Sequence, residues 1–219
     1  MLEFEYAIFD MDGTLVDSMR QWKGAGRIFL NSVGIEPTKQ LLHLIRTASY
    51  KEVSETLNKQ YGTSFTGVEL EQEFFNIMRY SYRNNVFVKN GVFDFLRYLK
   101  NMEIPMCVAT GTCQELTQYI LSKLGLCNYF EFVVTCPEVG EDKHSPLVFE
   151  EALTRIGGEK ENTLIFEDSL TAIKTASKVG FRIIGVYDET FIQDKRQISA
   201  IAEKYVYRLS ELVAKEHIG

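Results

Sequence analysis

An α/β fold, a doubly wound parallel sheet carrying an α-helical insert after its first strand, is predicted by two observations. Short apolar runs alternate with helical periodicity along most of the chain. Between about Asp17 and Asn84 that alternation gives way to helical patterns without a convincing strand. With 219 residues the chain is long enough for a core plus an insert. The expected division is a core of residues 1–16 and 85–219 and a helical domain of residues 17–84.

The first strand is expected at Tyr6–Phe9, an apolar run that ends in acids and a glycine. In the insert, Trp22, Ala25, Phe29, Leu30 and Val33 begin the helical patterns, and Asp17 or Ser18 is placed to cap the first helix. Arg83, Asn84 and Asn85, then Asn90 and Gly91, mark the return to the core. Val92, Phe95, Leu96 and Leu99 form one helical stripe and Phe149, Ala152, Leu153 and Ile156 another. Further strands are expected at residues 104–109, 132–134, 163–166 and 182–186. The helix after residue 166 carries Leu170, Ile173, Ala176 and Val179.

Composition narrows the function. Apolar residues make up 45% and charged residues 25%, the ordinary globular range, which argues against a disordered chain. A formal net charge of −6 repels phosphate backbones, and the sequence shows no arginine-rich stripe to overcome it, so no nucleic-acid partner is expected. The four cysteines form no CxxC pair and the three histidines are scattered, which signals neither a zinc site nor a disulfide framework. Glu3 and Glu5 interrupt the N-terminal apolar run, and no later stretch approaches a membrane span. No export signal and no membrane are expected, and a reducing cytoplasm fits best.

Chemistry is concentrated where predicted strands end. After the first strand comes Asp10-Met11-Asp12-Gly13-Thr14. Residues two apart in an extended chain face the same way, so Asp10 and Asp12 point together beyond the strand end. Two such carboxylates resist joint ionisation, and a bound cation or a retained proton relieves them; an Asp-Gly turn bonding only to backbone is the competing reading. Thr110-Gly111-Thr112 precedes a helix near Gln114, where a hydroxyl and free N–H groups cradle phosphate or merely cap a turn. Lys143 stands beside two acids, as surface lysines often do. Glu167-Asp168 ends another strand, placing acids where a helix dipole also favours them.

The segment DMDGTLVDS resembles the first motif of the haloacid dehalogenase superfamily, in its beta-phosphoglucomutase and phosphoglycolate phosphatase-like branch with a helical cap. Thr110, the Lys143-x-x-Pro146 spacing and Glu167-Asp168 match its second, third and fourth motifs in order. The resemblance implies that Asp10 attacks phosphorus, and that Asp12 protonates the leaving oxygen and then activates water. It implies that Thr110, Gly111 and Lys143 hold the phosphoryl group, and that Mg2+ binds Asp10, Asp168, the backbone carbonyl of Asp12 and, directly or through water, Glu167. An acid at Asp12 disfavours dehalogenation. His144 replaces a frequent proline; Glu167 stands where many of the phosphatases have glycine and matches the mutase-like branch, whereas Ala172 replaces a glycine often found there.

The resulting expectation is a magnesium-dependent phosphatase acting on a small phosphorylated metabolite through an aspartyl-phosphate, as a monomer or weak homodimer. The cap would choose the substrate, with Trp22, Arg46 and Lys51 as candidate contacts; cap core for Trp22 and solvated charge for the other two compete with that role. A phosphomutase is the alternative. Mutases of this type carry a histidine at the position of Trp22, and their basic cap loop is poorly matched around Ala48–Lys51. A phospho-accepting or regulatory module without turnover is a further reading, which the retention of every core motif opposes.

Overall fold

The computed structural model describes residues 3–213, the side chains of residues 46 and 47 excepted. The chain forms two compact units: one runs up to Asp17 and resumes at Phe87, and the other is Ser18–Val86. Strand β1 (Tyr6–Phe9) opens the first. The second unit consists of α1 (Met19–Ser32), α2 (Lys39–Thr47), α3 (Tyr50–Tyr61) and α4 (Gly67–Asn84). The first then continues through α5 (Val92–Asn101), β2 (Met106–Thr110), α6 (Gln114–Lys123), β3 (Val133–Thr135), α7 (Cys136–Val139) and α8 (Leu147–Ile156). It closes with β4 (Thr163–Glu167), α9 (Leu170–Lys178), β5 (Arg182–Val186), α10 (Lys195–Ile201) and β6 (Lys204–Val206). Among the described residues, no helix is long and apolar enough to cross a membrane.

The six strands form one parallel sheet in the order β3-β2-β1-β4-β5-β6. The chain works outward from β1 to β3, then returns to place β4 on the other side of β1. That reversal opens a crevice beyond the carboxyl ends of β1 and β4, where doubly wound sheets bind ligands. β2 and β4 are buried along their whole length, as is β1 after its first residue, which is why they read as continuous apolar runs. Beneath the crevice the rings of Phe9 and Phe166 stack at 4.4 Å, and Phe95 meets both edge-on. On one face of the sheet Val148, Phe149 and Ala152 of α8 join Ile8, Cys107 and Ile165 in a single core.

The second unit has its own core. Ala25, Phe29 and Leu30 of α1 are buried, and the Phe29 ring lies 5.3 Å from Phe74 and 5.5 Å from Phe65. Helices α3 and α4 start with reciprocal capping boxes, Ser49 with Glu52 and Thr66 with Glu69, which satisfy donors the helices cannot satisfy themselves. Ser18 occupies the position before α1, yet its side chain makes no capping bond.

Apart from one-residue shifts at the ends of β2, β3 and β4, the sheet differs from the sequence expectation in two places. β2 starts at Met106 because Pro105 has no N–H for the ladder, although its carbonyl accepts from Ala7 N at 3.1 Å. β6 was not expected: in Lys-Tyr-Val only Val206 is buried, so no apolar run marks this edge strand.

Gly91 precedes α5 as its N-cap with φ of +83°, and a Cβ there would lie 2.5 Å from Ser210 Oγ and 3.0 Å from Ser210 N. Backbone strain and overlap combine, so Gly91→Ala should lower stability by roughly 2 kcal/mol or more in urea unfolding.

Candidate active site

The N–H of Asp10 donates to Phe166 O at 2.9 Å, so pairing with β4 continues to the residue that bears the carboxylate. The chain then turns sharply: Gly13, at φ of +93°, donates to Val16 O, while Leu15 and Val16 both donate to Met11 O. Opposite, Glu167 ends β4 and Asp168 follows it.

Asp10, Glu167 and Asp168 are all buried, and one carboxylate oxygen from each lies within 4.8 Å of the others. Lys143, in the loop before α8, donates to Asp10 Oδ1 and, at 2.7 Å, to Glu167 Oε2. The other oxygen of Glu167 accepts from the N–H groups of Asp168 and Ser169 at 3.2 and 2.9 Å. By contrast, Asp10 Oδ2 and Asp168 Oδ2 are buried without a hydrogen-bond partner.

Electrostatics favours a cation here. Fully ionised, three carboxylates facing one ammonium retain two negative charges in a site that water cannot solvate. Burial, then Glu167, push the Asp10 carboxyl up to about 8 against the pull of Lys143. Burial, then Glu167 and Asp10, hold Asp168 well above the usual carboxylate range. Burial acts to lower the Lys143 ammonium, but Asp10 and Glu167 outweigh it and raise its pKa. A divalent ion would offset the excess charge, and the two open oxygens offer the hard donors such an ion prefers.

The remaining core motif residues adjoin this cluster. Asp12 is half-buried and its Oδ2 accepts from Thr112 Oγ1 at 2.6 Å, tying the loop after β1 to the loop after β2. Thr110 is fully buried, its hydroxyl oxygen accepting from Thr112 N at 3.1 Å, and Gly111 is exposed between them. Within the second unit, Trp22 donates through Nε1 to Tyr82 OH at 3.2 Å and is half-buried, while Lys51 is exposed. Arg46 belongs to α2, and its side chain lies outside the described residues.

Three participants escaped the sequence reading. Thr112 lay inside a recognised motif but had no assigned partner. Asp188 follows β5 two residues beyond its end, so the rule that found the other acids extends to it. Lys89 gave no signal. Its Nζ donates to Gly13 O, to Tyr187 O at 2.5 Å and to Asp188 Oδ2 at 3.3 Å, joining the loop after β1 to the end of β5.

The model for the family described as haloacid dehalogenase-like hydrolase matches residues 7–186. The phosphoglycolate phosphatase of Neisseria meningitidis is 29% identical over 150 residues, 66% of this chain and 63% of that protein, so the chain spans under two thirds of that relative's length. The phosphorylated carbohydrates phosphatase of Thermotoga maritima is 28% identical over 190 residues, 83% of this chain and 85% of that one. Among solved structures, CbbY from Rhodobacter sphaeroides in complex with phosphate superposes with a TM-score of 0.81 over 98% of both chains at 19% identity, a likeness of fold.

The raised carboxyls fix the sign of one pH effect. In the unfolded chain these acids ionise near pH 4; in the metal-free folded protein they keep protons to higher pH, Asp10 to about 8. The folded state therefore binds more protons across that interval, and its stability falls as pH rises. The melting temperature of chelator-treated protein should drop between pH 5 and pH 8, and Asp168→Asn should flatten the drop. An increase over that range would contradict the assignment.

Proposed function

The chain belongs to the haloacid dehalogenase-like hydrolases, and from that membership we propose that it is a magnesium-dependent phosphatase of small phosphorylated metabolites. One observation carries the reading. A buried carboxylate, Asp10, is gripped by Lys143 through Oδ1 and faces Asp168 across a cluster whose outer oxygens are unengaged.

Hydrolysis of a phosphate monoester needs a barrier reduction of about 20 kcal/mol or more, beyond any single group. Asp10 attacks phosphorus as the ester P–O bond breaks, and Asp12 delivers a proton to the departing oxygen. Water then attacks the aspartyl-phosphate, giving a proton back to Asp12 and releasing phosphate with Asp10 restored. Lys143 balances charge on the phosphoryl oxygens and on Asp10, while Thr110 and Gly111 border the phosphoryl group ahead of α6. Thr112 holds the Asp12 carboxylate toward this exchange through its 2.6 Å bond. Mg2+, held by Asp10, Asp168 and the backbone carbonyl of Asp12 with Glu167 beside it, would supply positive charge to the phosphoryl oxygens.

The phosphatase names of the Neisseria and Thermotoga relatives support hydrolysis, and those names point to phosphoglycolate or a sugar phosphate as the substrate class. Trp22, Arg46 and Lys51 remain the proposed contacts of the second unit with the substrate. A panel of phosphoglycolate, sugar phosphates and nucleotides with Mg2+, followed for released phosphate and for isomerised product, tests the reading; isomerisation without net phosphate release would replace it with a mutase.

Asp10→Asn should abolish turnover, a loss of at least about 10³-fold, while circular dichroism stays native. Robust residual hydrolysis would exclude Asp10 as nucleophile. Mg2+ should also raise the melting temperature more at pH 8 than at pH 5, because protons compete for the same oxygens at the lower pH.

A further inference from the structure

Five basic side chains of the second unit gather along one groove. Arg20, Lys23 and Arg27 share a face of α1, and Lys39 and His43 share a face of α2; together they line a groove of about 500 Å3 that no carboxylate enters. All five are exposed. Among the described residues, no acid pairs with Lys23, Arg27 or Lys39. Like charges three and four apart on a helix repel one another and weaken it, so folding gives no reason for the arrangement. It also runs against the chain's overall acidity. The whole sequence has 24 basic and 30 acidic residues, yet residues 18–86 hold nine Lys and Arg against six Asp and Glu.

Gly24 is an independent mark of the same place. Glycine inside a helix is less stable than alanine, and packing does not require it here. A Cβ at Gly24 would meet no atom within 4 Å, whereas one at Gly26 would press on Ile45 at 3.2 Å. Gly26 lets α1 approach α2; Gly24 instead leaves the groove floor bare between Lys23 and Arg27.

We propose that this groove binds a small polyanion, a compound bearing two or more linked phosphate groups. Its volume lies in the range of small-molecule sites, and its cations converge from two helices. Nucleic acid is the less suitable occupant, because strand binding draws on successive aromatic stacking platforms and no Phe, Tyr or Trp lines the groove.

Calorimetric titration of the whole protein with inorganic tripolyphosphate, in the presence of chelator, tests the proposal. The chelator removes the cation that phosphoryl binding beside Asp10 would draw on, and substitutions confined to the groove separate the two sites. The expected result is one site per chain, weakened by salt, with inorganic phosphate binding at least about tenfold more weakly. The pair Lys23→Gln and Arg27→Gln should weaken tripolyphosphate by about tenfold or more. Gly24→Ala should raise the melting temperature yet weaken binding, a combination that damaged folding cannot produce. The proposal is overturned if no heat appears at millimolar tripolyphosphate, if the paired substitutions leave affinity unchanged, or if a single-stranded oligonucleotide binds the groove more tightly than tripolyphosphate.

Discussion

Mutual repulsion among three buried carboxylates is the constraint around which the first unit is organised. Asp10, Glu167 and Asp168 come from the ends of two neighbouring strands, where neither solvent nor distance can relieve them. Lys143 neutralises one charge and fixes two of the side chains. What remains is an unfavourable surplus of negative charge with two oxygens uncommitted, a condition that a folding protein has no reason to keep unless something positive is to be bound.

The sheet makes the arrangement possible. Because β4 inserts on the far side of β1, residues distant in sequence finish side by side at the topological switch point. The stacked rings of Phe9 and Phe166 lie one residue before Asp10 and Glu167, so core packing sets the spacing of the acids. Lys89 reinforces the loop after β1 from another direction, since its ammonium draws together Gly13, Tyr187 and Asp188. Fold and site are thus coupled through side chains that take no part in the proposed chemistry.

Much of this is legible in the amino-acid sequence. Buried parallel strands announce themselves as apolar runs, and each acid, threonine or lysine of interest fell where such a run stops or just before a helix. Less legible were relations across the chain. Thr112 and Asp12 are visible as residues but not as partners, and Lys89 has nothing around it in sequence to distinguish it from a solvated lysine. β6 lacked the apolar run that declares the other strands. The basic groove was hidden for a different reason: its cations sit on two helices, and a net charge averaged over the whole chain conceals a local excess of the opposite sign.

The place of β1 within the sheet has a kinetic consequence. Ile8 pairs with Cys107 on one side and Ile165 on the other, contacts of very high sequence separation for so short a strand. During synthesis the first strand must therefore wait, apolar and unpaired, until β2 has emerged, and its other edge stays open until β4 follows. Loop closure of that span is slow, and the transient species exposes a hydrophobic ribbon that invites self-association. Competence for catalysis would come late in a newly made molecule, since Glu167 and Asp168 reach Asp10 only when β4 docks.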